Sequence, residues 1–299
     1  MEMPGDTKRL HPATRGDIDK IKDKLKEYFP KSSVIYGTLS ALAAYEGLWD
    51  LLETQLYYSD QSSLVVGTAS VHKNASQSLY LFWDEDNEDD EEIVHLLSAI
   101  PTVNWNRPIS LKLVDLSLVR RMDKFVTSGS LGNGVLKPNE PMSTVEVYSM
   151  PSVPIVDMTL PNGFELRDLT EEHAEFIREH WQYKHAIPLD SYRLMRKILP
   201  GIGVFKTGDG NDSEMTKMSK EPVAWAQLSF YNMYTHTFTL PQYRRLGLAS
   251  VATLALAKRS LELTGVALSA IGLDNQLSIN MHVKLGFKRI TISSYRSYN

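Results

Sequence analysis

The sequence predicts an α/β protein: mixed, mostly antiparallel sheets flanked by helices, divided into two domains. Three observations predict it. Apolar runs of strand length alternate with helical patterns through the second half of the chain. A long helix, Gly247–Thr264, lies between two such runs and is closed by Gly265, a residue suited to the left-handed position after a helix. A stretch with four prolines, residues 134–154, reads as a linker. It divides the chain into residues 1–140 and 155–299.

The elements follow in order. Ile18, Ile21, Leu25 and Phe29 recur at helical spacing within 15–29, and Pro30 follows where that helix should stop. Val34–Leu39, Ser63–Val71 and Ser78–Trp83 read as strands. The acidic run Asp84–Glu92 reads as a solvated turn entering a helix over 93–100, because carboxylates are favoured at the positive end of a helix dipole. Leu111–Leu118 fits a strand or a short helix, and the glycine-rich 128–134 fits a plain loop. In the second half, Phe164–Leu169 is a strand, and Thr170 caps a helix that begins with acidic residues. A helix spans 189–199. Strands follow at Ile202–Lys206, Val223–Phe230 and Tyr234–Leu240, with a polar loop at 207–221 between the first two. After Gly247–Thr264 come a strand at Val266–Ile271, a helix at Asn275–Leu285 and a strand at Phe287–Ser294.

Composition narrows the function. The 299 residues are 42% hydrophobic and 23% charged, enough to bury a core. A net charge of −4 argues against nucleic-acid or membrane-surface partners. The absence of cysteine removes disulfides, thiolate zinc sites and thiol nucleophiles together. His173, His180 and His185 have no metal-ligand spacing and read as surface helix residues, so no metal is expected. The N-terminal residues lack the apolar core of a signal peptide, and no apolar run reaches the roughly 18 residues that span a bilayer. The two Asn-x-Ser triplets, at Asn74 and Asn211, are chance matches without a secretory signal.

Chemistry concentrates in Thr239-Leu-Pro-Gln-Tyr-Arg-Arg-Leu-Gly-Leu-Ala-Ser250, between a strand and the long helix. The first amides of a helix have no partner inside it and sit at the positive end of its dipole, so such a corner cradles anions. Gly247 admits close approach of a phosphate, Ala249 keeps the next turn slim, and Arg244 and Arg245 add positive charge. The plain alternative is a strand–helix corner with a capping glycine.

Arg244-x-x-Gly247-x-Ala249 resembles the coenzyme A signature of the GNAT superfamily, and Asn275-x-x-Ser278 followed by Leu285-Gly286-Phe287 resembles a second segment of it. Ile35-Tyr-Gly-Thr38, Val103-Asn-Trp105, Gly163-Phe-Glu-Leu166, Pro222-Val-Ala-Trp225 and Thr239-Leu-Pro-x-Tyr-Arg244 extend the resemblance to the glycine N-acyltransferase family along nearly the whole chain. The resemblance implies two tandem GNAT-like halves: a degenerate N-terminal half without the signature, and a catalytic C-terminal half. It implies acyl-CoA or acetyl-CoA as cosubstrate and the amine of glycine or another small amino acid as acceptor. The protein would be a monomer, cytoplasmic or mitochondrial. The pyrophosphate would rest on the amides of Arg245, Leu246, Gly247, Leu248, Ala249 and Ser250. The pantetheine arm would pair with the backbone of Phe238, Thr239 and Leu240, and face Asn275 and Ser278.

The glycine-conjugating members carry a glutamate base six residues before the Thr of Thr-Leu-Pro, where this chain has Met233. Two histidines are candidates for acid or base work. His282 stands where many GNAT enzymes place a tyrosine near the sulfur, which makes it a candidate to protonate the leaving thiolate. His236 shares a strand with Met233 but is three residues away, on the opposite face of a regular strand; its plain reading is an ordinary strand histidine. Tyr231 and Tyr243 read as packing residues. Two other readings stand beside an amino-acid acyltransferase: a protein or polyamine N-acetyltransferase, and a CoA-binding protein with little activity.

Overall fold

The computed structural model describes residues 8–70, 77–153, 159–207, 220–234 and 236–299. Most of the polar loop expected at 207–221 lies outside them, as do Asn74 and Asn211. The chain forms two compact units. The first holds residues up to 43, residues 47–147 and the last ten, 290–299; the second holds 44–46 and 148–289. The C-terminal strand thus belongs to the first unit.

The first half of the chain contains β1 (His11–Ala13), α1 (Ile18–Lys26), α2 (Ser33–Ala44), α3 (Leu48–Leu51), β2 (Gln55–Tyr58), β3 (Val65–Ala69), β4 (Gln77–Phe82), α4 (Asp90–Ser98), β5 (Ile109–Asp115), α5 (Leu116–Thr127) and β6 (Ser143–Met150). The second half contains β7 (Phe164–Asp168), α6 (Ala174–Glu179), α7 (Leu189–Ile198), β8 (Gly201–Lys206), β9 (Ala224–Gln227), β10 (Met233–Tyr234), β11 (Phe238–Thr239), α8 (Leu248–Thr264), β12 (Ala267–Gly272), α9 (Gln276–Lys284) and β13 (Lys288–Tyr298). In the first unit the strand order is β1-β2-β3-β4-β5-β13-β6; in the second, β12 separates β6 from β10, and a second sheet runs β11-β9-β8-β7. Among the described residues no helix is long and apolar enough to cross a membrane.

Helix α1 forms as its spacing predicts, with Ile18, Ile21 and Leu25 all buried. Each such side chain removed from water contributes roughly 1.5–3 kcal/mol. Asp89 caps α4 by accepting from the amides of Glu91 (2.9 Å) and Glu92 (3.1 Å). The acidic run is not merely solvated: Lys8 binds Glu88 and Glu92, and Lys31 binds Asp86.

Several expectations need correction. Val34–Leu39 is not a strand but part of α2, in which Ser33 to Leu42 are all buried. A helix buried on every side has no polar face, so its sequence lacks the 3.6-residue rhythm. Leu111–Leu118 is neither one strand nor one short helix. It joins β5 to the longer α5, the turn being fixed by Asp115, which accepts from the Ser117 amide (3.0 Å). Part of the proline-rich linker is strand β6. Tyr234–Leu240 is not one strand but parts of two, β10 and β11, which lie in different sheets.

Candidate functional site

The break between β10 and β11 shapes the candidate site. Met233 and Tyr234 pair in parallel with Leu268 and Ser269 of β12. Four residues on, Phe238 and Thr239 pair antiparallel with Trp225 and Ala224 of β9. The chain therefore leaves β12 while β12 continues to Gly272, and a parallel pair opens. Leu240 donates its amide to the Val223 carbonyl (2.9 Å). Backbone groups alternate sides along an antiparallel ladder, so Thr239, one residue back, turns its peptide groups away from β9. Its carbonyl accepts from Arg244 Nε (3.3 Å), which leaves its N–H for a ligand. Of the three residues expected to bind an extended arm, Thr239 alone is turned the right way.

The following corner is tightly specified. Pro241–Tyr243 make a single turn, and the Tyr243 amide donates to the Leu240 carbonyl (2.9 Å). Arg245 (φ 67°) and Gly247 (φ 75°) are both left-handed. The first bond of α8 runs from the Val251 amide to the Gly247 carbonyl (3.1 Å). The amides of Leu248, Ala249 and Ser250 precede it and have no acceptor within the helix. A Cβ built on Gly247 would meet no atom within 4 Å. The glycine thus relieves no internal clash: it supplies the backbone conformation and keeps the space above the helix start open. Arg244, Arg245 and Leu246 are exposed around it, and the Arg244 guanidinium lies 5.9 Å from the Phe238 ring centre. Free amides, an open glycine and two arginines fit a pyrophosphate. A cavity of about 430 Å³ lined by Tyr45, Asp168, Arg196, Arg259 and Leu263 lies instead at the other end of α8, so cavity size is a poor guide here.

Behind β12, Asn275 caps α9, its side-chain oxygen accepting from the Ser278 amide (3.2 Å). That oxygen is committed to the helix, so only the amide nitrogen of Asn275 is left to face a ligand. The Ser278 hydroxyl lies 3.3 Å from His282 Nδ1 rather than standing free. His282 is 1% exposed. Its Nδ1 donates to the Ser278 carbonyl (2.9 Å), and its Nε2 accepts from the Ser269 hydroxyl (3.0 Å). Burial lowers its pKa, so the ring is neutral with both nitrogens occupied. This geometry makes it a tie between α9 and the last parallel rung at Ser269. To protonate a thiolate directly it would have to break a buried hydrogen bond, so the geometry does not favour the expected acid role.

His236 follows β10 rather than continuing it, so strand parity does not set its direction. It is buried, with Nδ1 accepting from Gln227 Nε2 (3.0 Å). Its ring stacks on Trp181 (5.7 Å) and meets Trp225 edge-on (5.6 Å). Among the described residues Nε2 has no hydrogen-bond partner at normal bonding distance. Burial first, and then the charge of Arg196, push its pKa down to about 3. Arg196 is itself buried, donating to the Leu228 carbonyl (2.6 Å), and burial pushes it down to about 10. Met233 is fully buried. His185 is exposed as expected, but His173 and His180 are half-buried. His173 accepts from the Thr170 amide (3.0 Å), taking the place of an acidic capping-box side chain, and His180 packs against Phe176, Trp225 and Phe238. Among the described residues no cluster of three or more His, Asp or Glu is placed to hold a metal ion. The aromatic packing of Trp181 and Tyr192 around His236 is legible only in three dimensions.

This architecture is the α/β GNAT fold. Residues 217–297 match the family model described as FR47-like protein, which supports a place in the GNAT/FR47-like acetyltransferase superfamily. A solved Drosophila protein is similar over 98% of this chain and 99% of its own, with a TM-score of 0.69 at 17% identity. A tandem GNAT protein from the clavulanic acid biosynthesis pathway is similar over 97% and 98%, with a TM-score of 0.53 at 9% identity. No curated protein matches the sequence.

Proposed function

We propose that the second unit binds acyl-CoA and transfers its acyl group to the amine of glycine or another small amino acid. One observation carries this reading: the chain leaves β12 after Tyr234 and leads through β11 into the exposed, glycine-entered start of α8. The pyrophosphate would rest on the amides of residues 245–250, and the pantetheine arm would lie in the opening against the Thr239 N–H. The neutral amine attacks the thioester carbonyl directly. A C–N bond forms, the C–S bond breaks, the amine gives up its proton to water, and the departing thiolate takes one from water.

His236 and His282 are neutral and sealed, and Met233 takes no proton, so water is the acceptor for the amine proton. Turnover then rises with pH as the acceptor's α-amine deprotonates. Met233 also favours a second reading, a CoA-binding protein with little activity. Acyl-CoA donors screened against amino acids and polyamines, with detection of released thiol, separate the two. Thiol release that depends on an amino acid supports transfer. CoA binding without release supports the second reading.

A further inference from the structure

The second unit holds a buried positive charge that the corner at 239–250 does not use. Arg196, in the last turn of α7, is 2% exposed. Its Nη2 donates to the Leu228 carbonyl at 2.6 Å. Its Nη1 reaches the Pro200 carbonyl only at 3.5 Å, well beyond the usual length of about 2.9 Å. Among the described residues Nε has no partner, and the group that acts on the charge is the Tyr192 hydroxyl, not a carboxylate. Buried cations are ordinarily paired with an anion.

Arg196 lines the cavity of about 430 Å³, and every lining residue belongs to the second unit. A Cβ built on Gly201, also in the wall, would come within 2.8 Å of Nη1, so the missing side chain is what lets the guanidinium end there. Tyr45 is a second donor in the same cavity. It is 7% exposed, and its hydroxyl has no partner among the described residues. Burial keeps it protonated by pushing its pKa up to about 12, against the opposing charge of Arg259. Arg259 itself is committed to Asp168 (2.6 Å). Lys197 and Glu171 are both exposed and offset each other. The lining therefore keeps one positive charge, that of Arg196. Leu169, Leu199 and Leu263 supply an apolar wall. Arg259 follows Leu248 by eleven residues of α8, roughly 16 Å along the helix axis, so the cavity is separate from the glycine-entered helix start.

We propose that this cavity binds a small monocarboxylate with an apolar body. The carboxylate accepts from Arg196 Nη1 and from the Tyr45 hydroxyl, and supplies the negative charge that Arg196 lacks. The apolar body covers the leucines, which an inorganic anion would leave bare. One negative charge matches the one spare positive charge of the lining.

The test titrates the full-length protein calorimetrically with sodium hexanoate, and with 1-hexanol as its uncharged match. Hexanoate should bind at least about tenfold more tightly than the alcohol, a difference of about 1.4 kcal/mol. Tyr45→Phe removes a hydroxyl with no partner, so the melting temperature should hold or rise while hexanoate affinity falls at least about threefold. Lys197→Glu reverses the spare charge of the lining from an exposed position and should cost hexanoate at least as much. Arg196→Gln should abolish binding, and Gly247→Val should leave it unchanged. If hexanoate is lost in Gly247→Val but kept in Tyr45→Phe and Lys197→Glu, it occupies the start of α8 and the inference is overturned. Equal affinity for the alcohol overturns it too, as does the absence of saturable heat up to about 50 mM, above the millimolar range of a weak site.

Discussion

Gly247 and Gly265 allow the cofactor cradle to be tested against an internal control. Both glycines flank α8, both have φ 75°, and a Cβ on either meets nothing within 4 Å. A side chain at either position therefore carries the same backbone strain, roughly 1–2 kcal/mol, with no steric clash. Only Gly247 adjoins the free amides. A valine there would stand over the helix start and deny a phosphate its close approach. Losing two charge-assisted hydrogen bonds, at about 1.5–3 kcal/mol each, amounts to about 3–6 kcal/mol, or a fall in CoA affinity of about 10²–10⁴-fold. Gly265→Val should match Gly247→Val in thermal unfolding yet leave affinity within about threefold, a difference worth under 1 kcal/mol. Calorimetric titration of CoA into both variants, with melting curves run alongside, makes the comparison. Equal loss of affinity in the two variants would mean that helix stability governs binding. Unchanged affinity in Gly247→Val would remove α8 as the cradle.

Other consequences follow from the buried histidines and the missing glutamate. The pKa of His236 is about 3 folded against about 6.5 unfolded, so the unfolded chain takes up the proton first as pH falls. The stability contributed by the neutral buried ring is complete above pH 6.5 and is lost toward pH 3, about 2 kcal/mol of it between pH 7.5 and pH 5. Denaturant titrations of His236→Gln at those two pH values should show the acid loss shrink by that amount, and an unaltered loss would contradict the burial argument. His282→Ala should lower the melting temperature, and reduce turnover by less than the 10²–10⁴-fold typical of a positioned acid; a larger fall with CoA affinity and fold intact would restore the direct proton donor. Met233→Glu places a carboxylate where Met233 is fully buried. Glycine conjugation should rise while stability falls, and a folded variant with no gain would argue against glycine as acceptor.

Much of the second half was legible in its residues alone. Alternating apolar runs marked β7, β8, β9 and β12, and Gly265 ended α8 where left-handed backbone is needed. The corner at 239–250 was legible because its chemistry is local: a strand, a glycine and a helix start within a dozen residues. Other features depend on long-range packing. Helix α2 is buried all round, so its residues carry no rhythm to distinguish it from a strand. The split of 234–240 into β10 and β11 depends on which neighbour each residue pairs with, and pairing is a long-range property. The same is true of the histidines. His236 and His282 titrate near neutral pH as free side chains, which made them candidates. Their neighbours, Gln227, Trp181 and Trp225 for one and Ser269 and Ser278 for the other, come from distant segments or the preceding helical turn. Those neighbours remove the charge and occupy all but one of the four ring nitrogens, because a buried imidazole loses the hydration that stabilises its protonated form.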